Sequence, residues 1–342
     1  KKGIQLSYDL TLELVTNRYF RTLFYFRTQG VFSKLLRVVY PKHPSFTIDV
    51  HTKIGGGLKL AHPYATIINA KELGNNVYIN HLVTIGEKDG KTPIIGYNGQ
   101  IHANTIIIGN VKIGDNTILK SHIVVEGHTT IGKDNEIHQF SSIGVPPQDK
   151  TYNGEPTETI IGDNNLFREG VTIHRATTKQ DLKTTVGDNG YYMAHVHIAH
   201  DCKIGSNITL ANGTMCAGHV IVDDYVQMGG ACGITPFCHI GRGSFIGAAS
   251  AIDKDVPQFS AAFGNRVKLK GVNIIGMKRR GISKDKISEY VDFFRMMESS
   301  ALSPKAFVDH PEFMEEYKNN EIVQEVVAFI KKSEIGLASF MS

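Results

Sequence analysis

The 342-residue sequence predicts an all-β solenoid, a parallel β-helix of hexapeptide repeats set between an N-terminal helical cap and a C-terminal α-helical domain. Three observations predict it. Apolar residues recur at every sixth position over most of the chain, Gly, Asn and Asp follow them at turn positions, and the pattern becomes helical at both ends. A six-residue period fits neither the period of about 3.6 of a helix nor the about 2 of an ordinary strand. It fits coils in which each hexapeptide contributes one short strand and one turn.

Residues 1–44 are read as the basic helical cap. The first 43 residues carry eight Lys or Arg against one Asp and one Glu, with aromatics at Tyr19, Phe20, Phe24, Tyr25, Phe26 and Phe32. Such an amphipathic segment covers the open end of a solenoid or touches an anionic membrane surface. The ladder then runs through Ile48, Ile54, Leu60, Ile67, Leu73, Ile79, Ile85 and Ile95, and continues with Ile101, Ile107, Ile113, Leu119, Val125, Ile131, Ile137 and Ile143. It resumes at Ile161, Phe167 and Ile173 and finishes with Ile198, Ile204, Leu210, Cys216, Val222, Met228, Ile234, Ile240, Ile246 and Ile252. Ile-Gly-Asp-Asn at 113–116 and 161–164, and Ile-Gly-Ser-Asn at 204–207, show the inward residue with its turn.

Breaks at 86–93, 144–159 and 176–185 are read as loops extruded from the coils. Loops on a rigid scaffold favour ligand contacts, which singles out the stretch from Pro146 to Pro156. After Asp255-Val256-Pro257 the phase is lost, and from Ser283 onward Ile287, Tyr290, Val291, Phe294 and Met297 fall on one helical face. A second helix is expected from Asn320 to Lys332. The segments are therefore 1–44, 45–112, 113–265 and 266–342, of which the middle two are β-helix.

Stacked coils explain how a chain with no Trp and 41% hydrophobic residues buries a core. No run approaches about 18 uninterrupted apolar residues, and the start does not resemble a secretory signal. Cys202, Cys216, Cys232 and Cys238 form no Cys-x-x-Cys motif and read as buried free thiols in a reducing cytoplasm. The net charge of +4 does not suggest nucleic acid. Locally, Lys268, Lys270, Lys278, Arg279 and Arg280 cluster where they could meet phosphates or an acidic partner.

Within Val196-His197-Ile198-Ala199-His200-Asp201-Cys202 a histidine stands beside a carboxylate on the ladder. Histidine takes a proton near neutral pH, so this pair on a rigid surface is a candidate general base.

From about Ile113 onward the chain resembles the UDP-N-acetylglucosamine O-acyltransferases that begin lipid A synthesis, the LpxA family. The resemblance is carried by residues 119–129 (Leu119 to Thr129), 154–157 (Gly154 to Thr157), 171–175 (Val171 to Arg175), 197–202 (His197 to Cys202) and 271–281 (Gly271 to Gly281). It implies a left-handed coil, a homotrimer and acyl transfer from acyl carrier protein to the 3-hydroxyl of UDP-N-acetylglucosamine. No cofactor is implied beyond the carrier's phosphopantetheine thioester, and no metal. His200 is implied as the base, Asp201 as its orienting partner and Gly218 as the backbone donor to the thioester oxyanion. Gln148, His174, His197 and His219 would line the sugar-nucleotide pocket, and Asn273, Arg279 and Arg280 would serve the nucleotide or carrier phosphate.

Several positions depart from the family pattern. Its substrate-contacting loop lysine aligns with Thr151, next to Lys150, a His-Gln pair appears as Thr235-Pro236, and a glutamate appears as Ile275. Ala248 stands where the family limits acyl length and where Gly is typical of enzymes taking longer chains, which implies a shorter chain here.

Residues 45–112 resemble serine O-acetyltransferases and related acetyl-CoA enzymes through residues 46–51 (Phe46 to His51) and 56–63 (Gly56 to Pro63), where Asp49 and His62 would match the catalytic pair. A second histidine typical of those enzymes is absent from 88–93. The two segments join in phase near Ile113. The sequence therefore leaves open acetyl-CoA-dependent O-acetylation at the N-terminal site, a catalytically silent trimeric scaffold and acylation of an amine. It also leaves open a zinc β-helical carbonic anhydrase, suggested by His195 and His200.

Overall fold

The computed structural model describes residues 2–341, with side chains from residue 8. The chain forms two compact units, Lys1–Phe140 and Ser141–Ser342.

In the first unit, helices α1 (Lys2–Thr16), α2 (Arg18–Thr28) and α3 (Val31–Val39) precede five coils of three short strands each, from Phe46–Ile48 to Glu136–Ile137. Asn17 caps α2 by accepting the backbone N–H groups of Tyr19 and Phe20 at 3.1 and 3.0 Å. Helix α2 is tied to the first coil, where Arg27 donates to the carbonyls of Ile54 and Gly55 at 2.8 and 2.6 Å. Tyr19 stacks on His43 with ring centres 4.3 Å apart. The cap thus covers the apolar end of the coils, around the fully buried Phe46.

Strands three apart in sequence pair in parallel, so Ile68 aligns with Ile85, and Ile113 with both Ile95 and Ile131. The inward column is the sixth-residue ladder from Leu73 onward, buried throughout. Before it Ile48, Ile54 and Leu60 keep the column, aligning with Ile68, Leu73 and Ile79, and one expected rung departs from it. Ile67 is 47% exposed and Ile68 takes the inward place, because the turn from Ala61 to Ala65 holds two extra residues and shifts the face that meets the core. Corners use the left-handed conformation that Asn tolerates, and their amides stack: Asn98 donates to Asn116 and Asn116 to Asp134, each at 2.9 Å. At Gly114 a Cβ would lie 2.4 Å from the Gly132 carbonyl carbon, so the close approach of coils at that corner requires glycine.

The second unit repeats the arrangement from Ser142–Val145 to Phe245–Ile246, then adds Ala251–Ile252 and an antiparallel pair, Ser260–Phe263 with Lys268–Val272. Its columns advance by one coil: Ile198 aligns with Cys216, Cys216 with Ile234, and Ile234 with Ile252. All four cysteines are free and buried, and burial pushes the Cys202 thiol up to about 12.

Helices α4 (Ile274–Arg279), α5 (Lys284–Ser299), α6 (Pro304–Val308), α7 (Pro311–Glu315) and α8 (Glu321–Lys332) close this unit. Ser283 caps α5 and Asn320 caps α8. The buried face of α5 is Ile287, Tyr290, Phe293, Phe294 and Met297, so Phe293 replaces the expected Val291. Phe293 packs edge-on against both Phe307 of α6 and Tyr317, which turns it inward. Tyr290 anchors the helix by donating to the Gln258 carbonyl at 2.6 Å. Among the described residues no helix is long and apolar enough to cross a membrane.

Candidate active site

The His200–Asp201 step occupies a corner of the second unit, directly after the strand His197–Ile198. Asp201 takes the left-handed conformation, with φ of 59°, which turns its carboxylate into the corner, where the side chain is 0% exposed. Three donors compensate this buried group. His200 Nδ1–H reaches Oδ2 at 2.8 Å, the Thr177 hydroxyl reaches Oδ2 at 2.7 Å, and the Thr177 backbone N–H lies 3.1 Å from each oxygen. Asp201's own N–H donates to Thr184 Oγ1 at 2.9 Å. A carboxylate only accepts, so Nδ1 is the donor in this contact and Nε2 is the ring nitrogen left to face a substrate.

Gly218, one coil onward, bounds the ring. A Cβ there would lie 2.4 Å from His200 Cε1 and 2.7 Å from Nε2, so only glycine leaves room for the imidazole. The Gly218 N–H has no acceptor among the described residues.

His219 sets its ring edge to face with His200, centroids 5.2 Å apart, and stacks on Phe237 at 4.6 Å. Its Nε2 is 3.7 Å from Asp201 Oδ2. His174 and His197 form a second edge-to-face pair at 4.9 Å, with Thr172 Oγ1 2.7 Å from His197 Nδ1. Burial pushes His174 down to about 4, and burial also lowers His197 and His219. These three imidazoles are thereby kept neutral around His200 at pH 7. Nδ1 of His174 and Nδ1 of His219 are buried without a partner among the described residues, as expected where a polar ligand completes the bonding.

The lowered His174 has a stability consequence. The unfolded chain binds a proton near pH 6.5 that the folded chain refuses until about 4, so His174 costs no stability above 6.5 and progressively more as pH falls toward 4. Across that window His174→Gln should flatten the pH dependence of unfolding free energy, by on the order of 3 kcal/mol at the acid end. Denaturant titrations of both proteins from pH 7 to about 4 measure it.

The loop expected to touch ligand is built around Asp149. Its Oδ1 accepts from the Thr151 N–H at 2.8 Å and hydroxyl at 2.7 Å, and its Oδ2 pairs with Lys179 at 2.6 Å. Lys179 first, then Thr151, hold Asp149 well below the usual carboxylate range. Thr151 therefore orders the loop, while Gln148 and Lys150 are exposed.

Asn273, Arg279 and Arg280 gather elsewhere in this unit, lining a cavity of about 430 Å³ with Tyr225, Phe245 and Ile275. Asn273 is largely committed to the fold, accepting from Gly276 N–H at 3.0 Å and donating to the Gly243 carbonyl at 2.9 Å. Arg280 lies over the Tyr225 ring at 4.4 Å and donates to the carbonyls of Gly276 and Tyr225, while Arg279 is exposed. Ala248 is exposed and sits over Gly229, where a Cβ would approach its Cα to 2.7 Å.

In the first unit, Asp49 Oδ1 accepts from the His51 N–H at 2.9 Å, and His62 is exposed beside a cavity of about 370 Å³. Among the described residues no hydrogen bond or ion pair joins Asp49 to His62. His195 is exposed with its ring over Gly170, and the residues able to share an ion are instead His200, Asp201 and His219, whose ligand atoms lie within 4.8 Å of one another. With Asp201 already accepting from Thr177 and His200, the geometry is that of a hydrogen-bonded dyad.

Thr177 and Thr184, which hold Asp201, and Phe237, which holds His219, carry no signal in the sequence. Thr177 lies in a loop 24 residues before its partner, outside the ladder's register.

A histidine held by a buried carboxylate, beside a glycine N–H on a left-handed parallel β-helix, defines a hexapeptide-repeat acyltransferase. Residues 255–338 match the family model described as UDP-N-acetylglucosamine O-acyltransferase, domain 2. The solved structure of LpxA from Acinetobacter baumannii is 34% identical, with a TM-score of 0.68 over 85% of this chain and 99% of that one. The enzyme from Moraxella catarrhalis is 33% identical over 86% and 100%, TM-score 0.65, and the Arabidopsis UDP-N-acetylglucosamine acyltransferase 30% identical over 87% and 99%, TM-score 0.66. The chain belongs to the UDP-N-acetylglucosamine acyltransferase family. The covered share exceeds the two thirds over which the motifs run, so coils before Ile113 also have counterparts in these relatives.

Proposed function

We infer that this chain transfers a fatty acyl group from the phosphopantetheine thioester of acyl carrier protein to the 3-hydroxyl of UDP-N-acetylglucosamine, the first step of lipid A synthesis. The observation that carries this reading is His200, fixed by Asp201 with Nε2 free beside Gly218, in a chain of that family. His200 Nε2 takes the sugar hydroxyl proton as that oxygen attacks the thioester carbonyl. The new C–O ester bond forms, the C–S bond breaks, and the proton passes from Nε2 to the departing sulfur. Asp201 holds the tautomer and stabilises the imidazolium, and the Gly218 N–H donates to the transient oxyanion.

Gln148, His174, His197 and His219 contact the sugar nucleotide, and Arg279 and Arg280, with Asn273 holding α4 in place, meet the nucleotide or carrier phosphate. The exposed Lys268, Lys270 and Lys278 suit an acidic carrier. The working form is a homotrimer, which the family resemblance supports.

Ala248 sets the acyl length, its methyl occupying space that glycine would leave open. Transfer rates measured with acyl carrier proteins of increasing chain length should peak at a shorter chain in the wild type than in Ala248→Gly. An identical profile would remove Ala248 from this role, and transfer of acetyl groups from acetyl-CoA alone would replace the reading with the N-terminal site.

A further inference from the structure

Helix α3 turns its apolar side away from the protein. Val31, Leu35 and Val38 form one stripe at i, i+4 and i+7, with Phe32 and Val39 beside it, and they are 76%, 65%, 82%, 70% and 69% exposed respectively. Ser33 is the residue of the helix that turns inward, its hydroxyl against Thr28. A nine-residue helix presenting five large apolar side chains to water is an unpartnered surface.

The charge around it is of one sign. From Leu14 to Ile48 the chain has no acidic residue, while Arg18, Arg21, Arg27, Lys34, Arg37 and Lys42 are cationic. Arg21 and Arg27 are spent on backbone carbonyls. Lys34, Arg37 and Lys42 line a cleft of about 360 Å³ alongside α3, together with Gln29 and Val50, which is 68% exposed, and Arg37 has its guanidinium 5.5 Å over the Tyr25 ring. We propose that α3 lies in the interface of an anionic bilayer, its apolar stripe among the acyl chains and Lys34, Arg37 and Lys42 on the phosphates of lipid headgroups.

Charge complementarity selects this occupant. A second copy of the chain docked on the same stripe would bring Lys34 and Arg37 of each against like charges, whereas anionic headgroups neutralise them. The pattern is also that of an interfacial helix, with a narrow, strongly apolar face and a basic flank.

Cosedimentation of the full chain with vesicles tests it. The wild type should bind equimolar phosphatidylglycerol and phosphatidylcholine, release with salt, and ignore phosphatidylcholine alone. Leu35→Glu with Val38→Glu should weaken binding by at least about tenfold, and Lys34→Gln or Arg37→Gln by about fivefold per lost cation. These residues are on the surface, so circular dichroism should be unchanged. Failure to bind anionic vesicles, equal binding to neutral ones, or undiminished binding by the double variant would overturn the proposal. So would a lower molecular mass for Leu35→Glu/Val38→Glu by light scattering with no vesicle binding by the wild type, which would assign the stripe to contact between copies.

Discussion

Replacing His200 with alanine should lower kcat for acyl transfer by about 10²–10⁴-fold, the range for loss of a positioned general base. The protein should remain folded. His200 sits at a corner, and Asp201 keeps both donors of Thr177, its N–H and its hydroxyl, when the imidazole is gone. The expected signature is a fall in kcat and kcat/KM together, since proton removal occurs in the transition state and not in the bound ground state. Asp201→Asn should leave the backbone geometry intact while offering an amide that cannot stabilise an imidazolium, and should also depress kcat.

Gly218→Ala should have a comparable effect for a different reason. The added methyl would stand 2.4 Å from His200 Cε1, so the ring must leave its place. Displacement of a reacting group by about 1 Å costs on the order of 10²-fold. The two changes should not add. Once His200 is alanine, the space beside residue 218 is open and Gly218→Ala should cost much less than in the wild type. Kinetics of the two single variants and the double variant measure this, and a full additive loss would mean that the methyl added at position 218 acts on the oxyanion contact instead of on the base.

The sequence exposed much of this in advance because a hexapeptide ladder is a local code. From Leu73 to Ile252 each rung read as inward-facing is buried, since every coil repeats the same choice of one apolar residue and one tight corner. Where the corner changed length, between Ala61 and Ala65, the code slipped and Ile68 replaced Ile67. On α5 a period of about 3.6 permits several neighbouring faces, and contacts with Phe307 and Tyr317 decided for Phe293 over Val291.

The candidate site divides along the same line. His200 and Asp201 are adjacent in sequence, and a dyad of neighbours can be read directly. The residues that fix them come from other coils: Thr177 and Thr184 for Asp201, Gly218 for the ring, Phe237 for His219. Gly218 and Phe237 each lie one regular coil after the residue they hold, whereas Thr177 and Thr184 lie in the 176–185 loop, outside the ladder's spacing, so only the folded chain brings them to Asp201. Thr151 shows the opposite case. It stands where the family's loop lysine would meet substrate, and its hydroxyl instead donates to Asp149, which pairs with Lys179 from the next loop.

The most direct test of the central inference is the product formed when the purified chain, UDP-N-acetylglucosamine and a panel of acyl carrier protein thioesters are combined and resolved by mass and alkaline lability. The expected result is one base-labile UDP-3-O-acyl-N-acetylglucosamine, formed by the wild type and reduced by about 10²-fold or more in His200→Ala. No product at any chain length from folded protein, or equal product from His200→Ala, would contradict it.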